Sequence, residues 1–457
     1  MNTRFSELLF SLVLALSIPI AALAHTGNKE KPTSPPNEDS SVLFKNANVF
    51  DGESDSLQSD VDVLVQGNLI KKIGKGLTAD NAQVIDAGGR VLMPGLIDVH
   101  WHTTYAYTPA SVLMNNQGDI LEVAIRSMTG AKATLMRGFT TVRDPGGNSF
   151  AIKKLIDSGE YPGHRILPSG PFMSQTSGHA DFRSNLEIPA NPVDGLTYWE
   201  KNMMVLVSDG VPDVRRRTRE ILRYGATQIK ITTGGGVSSL YDPLDVSEYS
   251  LAEIKAVVEE AENFNTYVLA HVMTDKGIRR SIEAGVKSIE HGYFASDDTL
   301  KLMKKKGIWL SPQPFEMDDN SWDDPESAKK WRKVVAAVNN VYTNAARIGV
   351  KIAFGTDLLL DAEATKKQNA LLVRLGKWFT PFEVLKIATS GNAELLEMSG
   401  PRHPYKEGPL GVIRVGAYAD LLLVDGNPLR ELDLIANPDD NFLVIMKDGK
   451  IYKNTLK

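Results

Sequence analysis

His100 and His102 close the apolar run Val91-Leu92-Met93-Pro94-Gly95-Leu96-Ile97-Asp98-Val99. In a strand, side chains alternate faces, so residues two apart point the same way and both imidazoles can reach one metal ion. Four more candidate ligands follow, each in or at the end of its own short apolar segment. Lys230 lies in Gln228-Ile229-Lys230-Ile231, and His271 ends Tyr267-Val268-Leu269-Ala270. His291 ends Ser288-Ile289-Glu290, and Asp357 ends Ile352-Ala353-Phe354-Gly355-Thr356. Ligands spread over several strand ends suit a β/α-barrel metalloenzyme, whose site is built at the C-terminal face of the strands.

The elements that must position them are readable. Residues 42–50, 61–65, 69–73 and 83–86 are short β-like segments, with Asp51-Gly52 as a turn signal. From about Pro94, short apolar runs alternate with longer amphipathic stretches, the mark of a parallel sheet with helical crossovers. One such stretch, 250–263, opens with Ser250 and Glu253 three residues apart, a capping box. After about residue 408 the β pattern returns, in 420–426 and 442–450. The expected organisation is therefore α/β: a (β/α)8 barrel over residues 94–408, inserted into a small β-sandwich domain made from 41–93 and 409–457.

Composition narrows the function. The 457 residues are 42% hydrophobic, enough for a large core, and the net charge of −5 comes without a basic block. A nucleic-acid partner is not expected. There is no cysteine, which excludes disulfides, thiolate metal sites and cysteine nucleophiles. Arg4, the apolar stretch 8–21 and Ala22-Leu23-Ala24 read as a secretory signal peptide over 1–24. Residues 25–40 read as a Pro-, Asn-, Lys- and Ser-rich linker. The mature chain would then be secreted, periplasmic in a Gram-negative host, with no membrane span left after cleavage.

The run 94–102, the later Lys and two His, Phe354-Gly355-Thr356-Asp357 and the tail 415–428 together resemble the amidohydrolase superfamily. Segments 174–183 and 229–237 are similar to its branch of imidazolonepropionase-related enzymes, Xaa-Pro dipeptidases, metallocarboxypeptidases and ochratoxin-type amide hydrolases. The resemblance implies two divalent metal ions, zinc by ligand type. His100, His102 and Asp357 would bind the more buried ion, and His271 and His291 the more exposed one. Lys230 would bridge them after carboxylation by carbon dioxide, since an ammonium has donors only. Asp357 would also be the general base, acting on a water whose pKa the ions lower. The implied substrates are small amides: dipeptides, including Xaa-Pro types, or N-acyl amino acids with a free carboxylate. Cyclic amides or lactones are the alternative. A non-catalytic ligand-binding barrel is disfavoured because all six ligands are present.

Outside the ligands, His179 is expected to hydrogen-bond the substrate carbonyl or carboxylate, with Arg183 supplying charge nearby. Tyr249 is a weaker carboxylate-binding candidate. The Gly234-Gly235-Gly236 run lacks a phosphate-loop ending and would let backbone approach the substrate. Residues 191–213, with Tyr198, Trp199, Met203 and Met204, suit a packed loop, a lid or a contact in a homo-oligomer. Trp322, Trp331 and Asp318-Asp319-Asn320 have no assigned role, and the acidic cluster lacks an EF-hand pattern. Arg143, Asp144 and His164 lie near strand ends without an assigned role, and His403 is expected to be structural. N-terminal sequencing of protein exported from a secreting host should begin at His25; a start at Met1 would mean that 1–24 is retained.

Overall fold

The computed structural model describes residues 41–113, 118–184, 187 and 195–456. The signal-peptide and linker expectations for 1–40 lie outside these residues. The chain opens with β1 (Ser41–Val49), β2 (Gln58–Gln66), β3 (Leu69–Gly74), β4 (Gln83–Asp86) and β5 (Val91–Pro94). The middle carries β6 (Leu96–Asp98), β7 (Phe139–Asp144), β8 (Arg165–Pro168), β9 (Phe172–Ser174) and β10 (Val205–Val207). It continues with β11 (Ile229–Thr232), β12 (Val268–Thr274), β13 (Ser288–Phe294), β14 (Trp309–Ser311) and β15 (Lys351–Ile352). The end supplies β16 (Leu421–Val424), β17 (Phe442–Lys447) and β18 (Lys450–Asn454).

Strands from both ends of the chain share one eight-stranded sheet, ordered β18-β17-β16-β5-β1-β2-β3, with β4 also on β1. β1 pairs with β4 over its first half and with β5 at its end. A strand that changes partner midway lets a sheet turn a corner. The inward residues, among them Phe44, Val63, Leu92, Ala419, Leu423 and Met446, form one buried apolar cluster. Alternation of such residues with polar ones in β1 and β2 is what specifies their faces.

The middle of the chain forms two parallel sheets, β6-β7-β8 and β10-β9-β11-β12-β13-β14-β15. Backbone hydrogen bonds cross both seams: Thr227 N–H donates to Pro168 O (2.8 Å) and Val99 N–H to Phe354 O (3.0 Å). These are the links that a ring of eight parallel strands needs. Helices fill the crossovers, as at Ile120–Met136, Val211–Tyr224 and Pro325–Ile348. Helix Leu251–Asn263 carries the expected capping box, with Ser250 and Glu253 exchanging both hydrogen bonds. Among the described residues no helix is long and apolar enough to cross a membrane.

Arg165 joins the parallel strands to the mixed sheet. It is buried, and its guanidinium donates to Asp420 Oδ2 (3.0 Å), Asp420 Oδ1 (3.3 Å) and Asp448 Oδ1 (2.6 Å). The rings of Tyr405 and Tyr418 lie 4.8 and 4.2 Å from it. Removing one partner of a buried ion pair leaves an uncompensated charge and costs roughly 3–5 kcal/mol. Arg165→Ala should lower stability by about that amount in urea titration, and a loss below about 1 kcal/mol, the scale of an exposed pair, would show that Asp420 does not depend on it.

Candidate active site

The strand β6 ends at Asp98, yet the alternation persists beyond it. Trp101 N–H donates to Arg143 O (3.2 Å), and Val99 and Trp101 are buried in the apolar core. His100 and His102 therefore face the opposite side, with ring centroids 5.3 Å apart. Asp98 stays buried beneath them and accepts from His100 N–H (2.9 Å), Thr356 N–H (3.2 Å) and Thr356 Oγ1 (2.7 Å). It ties the end of β6 to the segment that carries Asp357. That segment runs so close that a Cβ on Gly355 would lie 2.4 Å from the His100 Cβ, so only glycine fits. Asp357 itself has φ +51° and donates its N–H to His100 O (2.8 Å).

Each histidine has one nitrogen committed to a partner. His100 Nδ1 meets Glu290 Oε2 at 2.8 Å, and His291 Nδ1 meets Gln313 Oε1 at 2.7 Å. His102 Nδ1 faces Gly146 O at 3.3 Å, and Gly146 N–H in turn donates to Asp144 Oδ1 (3.1 Å). His271 Nε2 faces Gly235 O at 3.3 Å. Acceptor partners fix the tautomers. His100, His102 and His291 present the Nε2 lone pair, and His271 presents Nδ1. Burial keeps the His100, His271 and His291 rings neutral, pushing His100 down to about 4 and His291 to about 3, with His271 well below its usual value.

Glu290 is fully buried, and Arg143 makes that possible. Arg143 donates to Glu290 Oε1 (2.7 Å), to Val99 O (2.6 Å) and to Tyr267 OH (3.2 Å). Burial opposes ionisation of Glu290, but the Arg143 charge beside it holds it below the usual carboxylate range. Neither residue was given a role from the sequence. The only trace there was that Arg143 and Glu290 sit in β segments too apolar to hold a charge unpaired.

Lys230 and Asp357 complete the cluster. Burial pushes the Lys230 ammonium down to about 8. Asp357 Oδ1 lies 3.4 Å from His100 Nε2 and 3.3 Å from His102 Nε2. Burial would raise its pKa, but the neighbouring His100 and His102 hold it well below the usual range. Ligand atoms of His100, His291 and Asp357 lie within 4.8 Å of one another. Lone pairs of neutral imidazoles and a carboxylate oxygen converging at such distances require a cation between them, so the donor set fits a divalent ion such as zinc. His102 Nε2 stands beside this group, 3.3 Å from Asp357 Oδ1.

All six residues line one cavity, walled by Tyr105, Leu113, Phe172, Phe182, Leu359 and Leu360. His179 lines it too, stacked on His271 with centroids 3.9 Å apart. Its Nδ1 is held by Ser239 Oγ (2.7 Å) and Asp242 Oδ2 (2.9 Å). A Cβ on Gly236 would lie 2.0 Å from this ring. Gly236 thus makes room for His179, and Gly235 for the backbone at Pro243.

Arg183 and Tyr249 are not in the cavity wall. Arg183 is clamped by Asp181 through Nε and a terminal nitrogen, both at 2.6 Å. Tyr249 is buried, with its hydroxyl on Ser208 Oγ (3.0 Å). Of the stretch 191–213, the described part is packed: Met204 and Val205 lie against Tyr105 and Phe172, behind the cavity wall. Phe315, Trp322 and Trp331 line an adjoining chamber of about 1240 Å³. Asp319 is tied to Arg374 rather than to a cation site. His164 Nδ1 faces Ala131 O (3.3 Å), and His403 Nδ1 accepts from Tyr405 N–H (3.2 Å).

Parallel strands with imidazole, lysine and carboxylate groups gathered at their C-terminal ends define a class of β/α hydrolases. The model of the amidohydrolase family matches residues 91–453, and the chain belongs to that family. It is a hydrolase acting on amide or peptide bonds. It is 33% identical over 380 residues to ochratoxinase of Aspergillus niger, covering 79% of this chain and 76% of the relative. A prolidase solved with N-methylphosphonate-L-proline is 35% identical, with TM-score 0.83 over 91% of this chain and 100% of that one. A Xaa-Pro dipeptidase solved with methionine in its active site is 29% identical, with TM-score 0.77 over 91% and 100%. Such neighbours imply a TIM barrel with an additional sheet domain, and the family generally binds divalent metals.

Partners that orient a metal-binding histidine typically change affinity about 10–100-fold when removed. Glu290→Gln should weaken metal binding by about that factor in chelator competition. Unchanged affinity would show that His100 is oriented without Glu290.

Proposed function

We propose that this chain is a secreted, binuclear metal-dependent amidohydrolase. It cleaves the amide bond of dipeptides or N-acyl amino acids that carry a free C-terminal carboxylate. The observation that carries the reading is the convergence of His100, His102, Lys230, His271, His291 and Asp357 on one cavity. The two parallel sheets would close into a (β/α)8 barrel, and the mixed sheet would fold over as a sandwich. His100, His102 and Asp357 would hold one zinc ion and His271 and His291 another, with carboxylated Lys230 between them. Bound there, divalent ions acidify a water and polarise the scissile carbonyl.

The chain's own groups do the rest. Asp357 takes a proton from the attacking water and returns it to the leaving nitrogen. His179, its Nδ1 held by Asp242, turns Nε2 to the carbonyl oxygen and, as the imidazolium, donates Nε2–H where negative charge develops. Lys230, less strongly protonated than an exposed lysine, is suited to attack carbon dioxide as a free amine. Arg183 and Tyr249 are engaged elsewhere, so the substrate carboxylate is met by other donors. The ochratoxinase and prolidase likenesses support an amide substrate.

The test is release of a C-terminal amino acid from a panel of Xaa-Pro dipeptides, other dipeptides and N-acyl amino acids. The protein is loaded with zinc and bicarbonate. Asp357→Asn should lower kcat about 10²–10⁴-fold, and His179→Ala about 10²–10³-fold. No release by protein with two metals bound would reject this substrate class and favour cyclic amides and lactones.

A further inference from the structure

Glu248 lies one shell behind the cavity and no part of the mechanism above uses it. Its carboxylate is 1% exposed and has no lysine or arginine partner among the described residues. Burying a carboxylate in that way is costly, and such sites concentrate where function needs them. Its oxygens each receive a donor. Oε1 accepts the His179 main-chain N–H at 2.9 Å. Oε2 accepts Thr232 Oγ1 at 2.6 Å and lies 3.4 Å from Ser174 Oγ. Ser174 Oγ is 2.7 Å from Thr232 Oγ1 and accepts the Ala180 N–H at 3.2 Å. A Cβ on Gly178 would fall 2.2 Å from Ser174 Oγ and 2.7 Å from Glu248 Oε2. The backbone at 178–180 therefore folds tightly around a hub made by Glu248, Ser174 and Thr232. Thr232 is on β11, two residues beyond Lys230, and lines the cavity.

We propose that Glu248 is a positioning residue for His179, holding the His179 backbone against the strand that carries Lys230. It touches neither substrate nor metal-binding groups and acts only through His179 and Thr232. Asp242 and Ser239 fix the ring, and Glu248 fixes the chain to which the ring is attached. The role in turnover rests on the amidohydrolase reading, but the geometry of the hub does not.

The ionised form suits the hub, because the His179 main-chain N–H can only donate and a neutral carboxyl is a weaker acceptor for it. A proton on Oε2 would also force Thr232 Oγ1 to turn from donor to acceptor and redirect its own proton to Ser174 Oγ. Burial pushes this carboxyl up to about 7. The charged or titratable groups facing it are His179 from its loop and Asp242 from the loop after β11. Tyr249, next in the chain, is turned away to Ser208. Lowering the pH through about 7 should therefore loosen His179.

The experiment uses full-length mature protein with histidine-labelled side chains. The His179 ring signal is assigned by its loss in His179→Ala. In Glu248→Gln that signal should move or broaden while those of His164 and His403 stay in place. An unmoved His179 signal in folded Glu248→Gln overturns the proposal, whatever the substrate proves to be. With a working substrate, Glu248→Gln should reduce kcat by up to about 100-fold, as misplacement of a catalytic group does, at unchanged metal content. The acidic limb of its pH profile should flatten. In the His179→Ala background the same change should cost nothing further, and additive losses would overturn the proposal. Failure of every substrate, with the ring signal shifted, would reject the hydrolase reading and leave the positioning role standing.

Discussion

Lone pairs crowded along one cavity wall are the condition that the rest of this molecule must meet. Neutral imidazoles and the Asp357 oxygen converge at distances that repel unless a cation lies between them. Nothing about a single strand end could hold such a set. The surroundings do it with fixed partners: Glu290 for His100, Gln313 for His291, Gly146 O for His102 and Gly235 O for His271. Behind Glu290 stands Arg143, and behind both His100 and Asp357 stands Asp98. Each outer group removes a rotational freedom from an inner one, so the lone pairs are aimed before any ion arrives.

The inner groups were legible in the sequence and the outer ones were not, for a physical reason. Each candidate sits in or just after a short apolar run, so His271 or Asp357 announces itself by local pattern. Arg143 and Glu290 are far apart in the chain and become partners only when β7 and β13 face one another across the interior. Their pairing is a tertiary fact with no local signature. Arg183 shows the reverse failure. Its charge stood out beside His179, but Asp181, two residues away, already satisfies it. Tyr249, a weaker carboxylate-binding candidate, is likewise committed, its hydroxyl to Ser208.

The glycines make the same point about space. Along the chain Gly236 reads as room for a substrate, and Gly355 is only part of the segment that ends in Asp357. In three dimensions each marks where a backbone passes against an imidazole with no room for a methyl group. The β/α alternation, the capping box at Ser250 and the return of β pattern after residue 408 were all readable, because each depends on local periodicity. The pairing of β1 with two partners was not, because register is decided between strands.

The shared sheet has a consequence for how the chain is made. β5 pairs with β16, so Leu92 waits for Leu423. In synthesis or export that begins at the N-terminus, β1 to β5 emerge first, with the edge of β5 open and apolar. That edge stays unpaired until the whole β/α region has passed, and open edges are templates for wrong association. Such long-range pairing is slow to form. The sheet is thus the last part to close, and the folding of the β/α region between its halves decides how long the newborn chain remains at risk of aggregation.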